Sequence, residues 1–151
     1  MTGVQTCALP ISSAPAIADY AAELLAADGL DLTEKDSYID SREKVHFNRL
    51  SAAERKALIE KKPAYGRVIC RCETVTEGEI LDAIHSPIPP VSVDGIKRRT
   101  GAGMGRCQGG FCGPRVVDLL ARELGVSPLT ILQDRDGSEI LTAYTKGEVR
   151  A

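Results

Sequence analysis

Apolar positions along this chain recur mostly at helical spacing, with short extended stretches between them. Ile17, Tyr20, Ala21, Leu24 and Leu25 fall at the three- and four-residue intervals of one helix face and predict a helix over 13–30. Ser13 is its expected cap, Pro15 suits its first turn, and Gly29 suits its stop. From 31 to 50 the charges are broken only by isolated apolar residues (Leu32, Tyr38, Ile39, Val45, Phe47), so an extended connector is expected. Ser51-Ala52-Ala53-Glu54 is a capping box; Ala57, Leu58 and Ile59 continue a short helix that Pro63 ends. Val68 and Ile69 lead into Cys70 as an extended segment. Thr76-Glu77-Gly78-Glu79 is a second capping box, its helix carrying Ile80, Leu81 and Ile84 and ending before Pro87. Ile88-Pro89-Pro90 is rigid and extended. A further helix is expected over Val93 to Arg99 with Ile96 inward. Another is opened by Pro114, carries Val116, Val117, Leu119, Leu120 and Leu124, and stops at Gly125. Ser127-Pro128 starts a last turn through Leu132. The polar tail from Asp134 is expected to fray, with Ile140, Leu141 and Tyr144 available to dock; Asp134, Asp136 and Gly137 read as a turn.

Composition narrows the function classes. Apolar residues make up 43% and aromatics 4%, with no Trp, which supports a modest aliphatic core. A length of 151 residues suits one domain with an extra arm, and the domain boundary is expected near residue 64. A net charge of −2 gives no general attraction to nucleic acid or anionic membranes. No stretch approaches about eighteen consecutive apolar residues, so no membrane span is expected. The N-terminus lacks the basic start and apolar run of a signal peptide. The chain therefore reads as cytoplasmic, where clustered cysteines more often bind metal than form disulfides. No Ser/His/Asp set or paired carboxylates stand out, and no catalytic residue is assigned. His46 and His85 read as surface residues, His85 favourable near a helix C-terminus. Lys97-Arg98-Arg99 reads as a solvated helix face, without the aromatic platform of a nucleic-acid site.

The chemistry lies in Cys70-x-Cys72 and, after thirty-four intervening residues, Cys107-x4-Cys112. Two close pairs brought together make a four-thiolate cage for one tetrahedral zinc or one small iron–sulfur cluster. Cys70 and Cys72 lie two apart on an extended segment, so their side chains are expected on one side. Gly109, Gly110 and Gly113 shape the second loop, whose amides can point at anionic sulfur. Cys112 precedes a helix, whose dipole is expected to favour its ionised form. Lys97, Arg98, Arg99, Arg106, Arg115 and Arg71 form a basic collar against one acid, Asp94; Arg71 and Arg106 are the expected charge-tuning residues. Charge does not separate zinc from iron. Spacing does so better: structural zinc favours Cys-x2-4-Cys at both ends, and the wider second loop suits a 2Fe–2S rhomb. Gly101-Ala102-Gly103-Met104-Gly105 has the wrong spacing, and no preceding strand, for a dinucleotide loop.

The stretch Cys70-Arg71-Cys72-Glu73 … Gly105-Arg106-Cys107-Gln108-Gly109-Gly110-Phe111-Cys112 resembles the 2Fe–2S-binding domain of the bacterioferritin-associated ferredoxin (BFD-like) type, over about 66–125. The resemblance implies a small, mostly α fold with Cys70, Cys72, Cys107 and Cys112 as cluster ligands. Ser13-Ala14-Pro15-Ala16-Ile17-Ala18 is similar to the terminal helix of the FAD domain in glycerol-3-phosphate dehydrogenase and 2-hydroxyglutarate oxidase-like proteins, where a connector and a BFD-like domain follow. Residues 13–63 then read as the end of a truncated flavoprotein domain plus connector, 64–133 as the cluster domain and 134–151 as a tail. Met1–Ser12 resembles a translated short-read sequencing adapter; residues 1 to about 12 are expected to be a disordered assembly scar, and the chain the C-terminal end of something longer. The implied function is electron transfer between FAD in the upstream domain and an unknown acceptor. The alternatives are a zinc- or cluster-stabilised docking domain, or a stand-alone ferredoxin for iron delivery.

Overall fold

Two capping boxes and an antiparallel hairpin organise the part of the chain that carries the cysteines. The structure is a computed structural model describing the backbone of residues 3–33, 35–38, 41 and 44–145, with side chains from Ile11 onward. It divides into two units, Met1–Arg42 and Glu43–Ala151. Among the described residues, five α-helices and one two-stranded sheet make it mostly α, as expected. Among the described residues, no helix is long and apolar enough to cross a membrane.

The first unit is helix α1, Gly3–Ala27. It begins ten residues before the expected cap at Ser13, so residues 3–12, expected to be disordered, have helical backbone. Pro10 and Pro15 both lie within it, and the Ala-rich stretch after Pro15 has high helix propensity. Its end is as expected: Gly29 has φ +93°, and the Leu30 N–H donates to the Leu25 carbonyl. Ile17, Tyr20, Leu24 and Leu25 are exposed.

The second unit starts earlier than the boundary expected near residue 64. Phe47 is buried, with its ring 6.3 Å from that of Tyr65 and the Arg55 guanidinium 5.2 Å above it. Its N–H donates to Glu79 Oε1. An isolated aromatic in a charged stretch carries no periodicity, yet burying it ties the connector's end to the body. Helix α2 (Ala52–Lys61) is capped by Ser51 and Glu54 reciprocally, and a 3-10 turn (Pro63–Gly66) delivers the chain to β1 (Val68–Cys70). β1 pairs antiparallel with β2 (Val75–Thr76), with Val68 opposite Thr76 and Cys70 opposite Val75. Thr76 caps α3 (Glu77–Ile84) through its own capping box with Glu79. Ser92 caps α4 (Val93–Thr100), and Gly101, left-handed at φ +82°, closes it. Helix α5 (Gly113–Leu124) ends at Gly125.

Ile80, Ile96 and Leu120, one each from α3, α4 and α5, are wholly buried together with Val116, Val117 and Ile131. Each such side chain contributes about 1.5–3 kcal/mol of burial. Buried Glu77 joins the two ends of this core: Arg122 donates to its Oε1 at 3.2 Å, and Arg67 lies 2.6 Å from its Oε2 without a hydrogen bond's alignment. The tail, expected to fray, is tied back. Leu132 bridges both Ser92 and Glu139, the Asp94 N–H donates to the Gln133 carbonyl, and Arg98 meets Asp134 at 2.6 Å. Ile140 and Leu141 line a cavity of about 410 Å³ beside α4 and the start of α5.

Gly78 faces the Tyr65 ring so closely that a Cβ there would overlap it. Gly78→Ala should therefore destabilise the protein by about 1–3 kcal/mol in denaturant unfolding, against alanine's better helix propensity. An unchanged or raised midpoint would contradict this packing.

Candidate metal centre

The hairpin and the α4–α5 connection bring the two cysteine pairs together. Cys70 ends β1 and is buried, at 1% exposure. The chain then turns over 71–74, with Thr74 left-handed at φ +53°, and Cys72 is exposed in that turn. The strand stops at Cys70, so Cys72 stands in the turn and not on the extended segment expected. From the other side, Cys107 lies in the loop after α4, and Cys112 stands at the start of α5, at 2% exposure. Pairing runs across the motifs. Cys72 Sγ is 3.5 Å from Cys107 Sγ, and Cys70 is the thiol neighbour of Cys112.

Gly105 makes this approach possible. A Cβ at that position would overlap the Cys72 Cβ and stand 3.3 Å from Cys72 Sγ and 3.0 Å from Glu73 Oε1. The loop beyond it is closely wound. Gln108, left-handed at φ +48°, donates from its side chain to the Met104 and Gly105 carbonyls. The Gly110 N–H donates to the Cys107 carbonyl, and the Gly113 N–H to the Gly109 carbonyl at 2.7 Å.

The sulfurs sit in opposed environments. The hydrogen bond with Cys72 holds the Cys107 thiol below its ordinary range, assisted by the N–H groups of Phe111, Gly109 and Gly110. Cys112 reverses its expectation. Burial, then the neighbouring Cys70 and the charge of Cys107, pushes its thiol up to about 11, outweighing its own backbone N–H and its place at a helix start.

The basic collar also divides. Lys97 pairs with Asp94, Arg98 with Asp134, and Arg99 donates to the Gly95 and Ile88 carbonyls. Arg71, Arg106 and Arg115 are exposed. His85 Nε2 lies 2.9 Å from Glu123 at the end of α3, remote in sequence from the cysteines. Sequence reasoning gave no role to Gln108, Phe111 or the Gly105 contact; the Cys-Gln-Gly-Gly-Phe-Cys run itself was their available signal.

Two thiolates on one tetrahedral metal at about 2.3 Å stand roughly 3.8 Å apart, so the Cys72–Cys107 spacing is close to that of a ligand couple. Among the described residues, no three His, Cys, Asp or Glu side chains are grouped to hold a single metal ion. The donors come instead as two thiol couples within electrostatic reach of each other. A soft, all-sulfur donor set with inward amides suits an iron–sulfur centre with a couple at each end.

These features define a small helical domain of the iron–sulfur-binding class. Residues 68–122 match the family model of the BFD-like [2Fe-2S] binding domain, and the chain contains such a domain. It is 48% identical over 141 residues to a glycerol 3-phosphate dehydrogenase of Caloramator mitchellensis, covering 93% of this chain and 29% of that protein. It is 38% identical over 95 residues to hydrogen cyanide synthase subunit HcnB of Pseudomonas aeruginosa, covering 56% of this chain and 20% of the relative. It is 38% identical over 64 residues to one of the subunits of opine oxidase from Rhizobium meliloti, covering 42% and 12%. The chain thus spans less than a third of the length of these relatives. No solved structure matches it.

In metal-free protein, alkylation rates should separate the thiols. Cys107 should react with iodoacetamide through a midpoint below that of an ordinary thiol, since the thiolate is the nucleophile, and Cys112 only as the pH nears about 11. Peptide mass spectrometry over a pH series reads both midpoints; the opposite order would contradict the assigned environments.

Proposed function

We propose that this chain is an electron-transfer module whose 2Fe–2S cluster is held by Cys70, Cys72, Cys107 and Cys112. The observation that carries the reading is the cross-motif meeting of Cys72 and Cys107 at 3.5 Å, with Cys70 beside Cys112. When bound, the cluster supplies one-electron redox chemistry. The protein's own part is electrostatic and steric. The N–H groups of Gly109, Gly110 and Phe111 stabilise negative charge on the Cys107 sulfur. Cys70 and Cys112 lie on the side from which the core excludes water. Arg71 and Arg106 flank the ligands and offset their charge.

In this reading the chain is the C-terminal part of a cytoplasmic FAD-dependent oxidoreductase acting on glycerol 3-phosphate or a small 2-hydroxy acid. The module passes electrons singly from the flavin of the upstream domain to an external acceptor. The similarity to a glycerol 3-phosphate dehydrogenase over 93% of the chain supports that assignment. No residue of the chain is assigned to substrate chemistry.

Protein purified without air should carry about two irons per chain and a visible chromophore, and should show a rhombic S = ½ resonance after dithionite reduction. Serine in place of any of the four cysteines should lower iron content or shift that resonance. Colourless protein with one zinc would overturn the redox reading in favour of a structural docking domain.

A further inference from the structure

We propose that the loop carrying Cys107 and Cys112 is also the docking surface for a separate, acidic, one-electron carrier protein, seated on Phe111 and steered by Arg71, Arg106 and Arg115. The proposal rests on the redox reading above and adds the partner's chemistry and its seat.

Phe111 is 82% exposed although its backbone is fixed. It lies within the closely wound stretch between the Gly110 N–H bond to the Cys107 carbonyl and the Gly113 N–H bond to the Gly109 carbonyl. A built loop thus holds a phenyl ring in water one residue from a buried thiol. Met104, on the same loop, is 56% exposed. Aromatic, Met and Arg side chains together are the composition of a protein-recognition centre. The face also lies over the outer sulfur couple, Cys72 being exposed and Cys107 half-buried, whereas Cys70 and Cys112 are sealed behind it. The short way out for an electron passes this face.

Charge fixes the partner's sign. Arg71, Arg106 and Arg115 lie within three residues of the four cysteines, are exposed, and form no ion pair among the described residues. Lys97 and Arg98 are committed to Asp94 and Asp134. Against these three arginines stand Glu73, half-buried against Gly105, and Asp118, exposed one turn along α5 from Arg115. The exposed rim is therefore basic on balance, and an acidic surface complements it. In the transfer, one electron leaves the reduced centre and one enters the carrier; no bond forms and no proton moves.

The test uses the 151-residue chain loaded with cluster and reduced by dithionite, with rates normalised to the S = ½ signal of each variant. Stopped-flow mixing compares plastocyanin, an acidic one-electron carrier, with mitochondrial cytochrome c, a basic one. Oxidation by plastocyanin should slow as salt rises, and oxidation by cytochrome c should not. Arg106→Glu combined with Arg115→Glu should slow plastocyanin by about tenfold and speed cytochrome c. Phe111→Ala should slow plastocyanin at high salt as well, where steering is screened. Equal salt responses of the two carriers, or Phe111→Ala without effect, would overturn the docking surface while leaving the redox reading intact. So would a dimer in sedimentation that Phe111→Ala dissolves, since a second copy would then occupy the ring. Absence of any S = ½ signal would overturn both.

Discussion

Two lengths of backbone must come closer than any side chain would permit, and Gly105 is where they do so. Its missing Cβ leaves the space that the Cys72 side chain occupies. Only then can the sulfur of the hairpin turn reach that of the α4–α5 loop. The rest of the domain serves to hold those two lengths in register. The Thr76–Glu79 box fixes the hairpin to α3, Glu77 draws Arg67 and Arg122 together, and the core from α3, α4 and α5 sets the height of the loop. Glu79 does double service: one oxygen completes the capping box while the other receives the Phe47 N–H.

What was readable beforehand follows from what carries local information. Capping boxes at Ser51 and Thr76, the left-handed stop at Gly125 and the apolar faces of α3 and α5 are written within four or five residues, and they stand where expected. Cys72 meets Cys107 across the two motifs, whose pairing the sequence shows. Long-range packing was not legible: Phe47 lies in a stretch without period, yet its burial on Tyr65 moves the boundary of the unit to Glu43. The tail reads as polar because main-chain bonds hold it: Leu132 and Gln133 bond to Ser92, Val93 and Asp94 on one side and to Glu139 and Ser138 on the other, which leaves no trace in hydropathy. At Cys112 the helix start competes with burial. Burial is a property of the whole fold and outweighs a local partial charge there.

The site is asymmetric. One sulfur couple is sealed against the core and the other reaches the surface, where Cys72 and Cys107 meet. Burial disfavours charge on Cys112, and hydrogen bonding favours it on Cys107. The same loop thus links fold to function at one place: its winding supplies the amides, its glycine the clearance, and its phenylalanine an outward contact.

X-ray absorption at the metal edge of protein purified without air tests the central claim most directly. The account predicts iron with an all-sulfur first shell and a second iron as near neighbour, both weakened when Gly105 is replaced by alanine. A lone zinc in a four-sulfur shell, with no neighbouring metal, would contradict it.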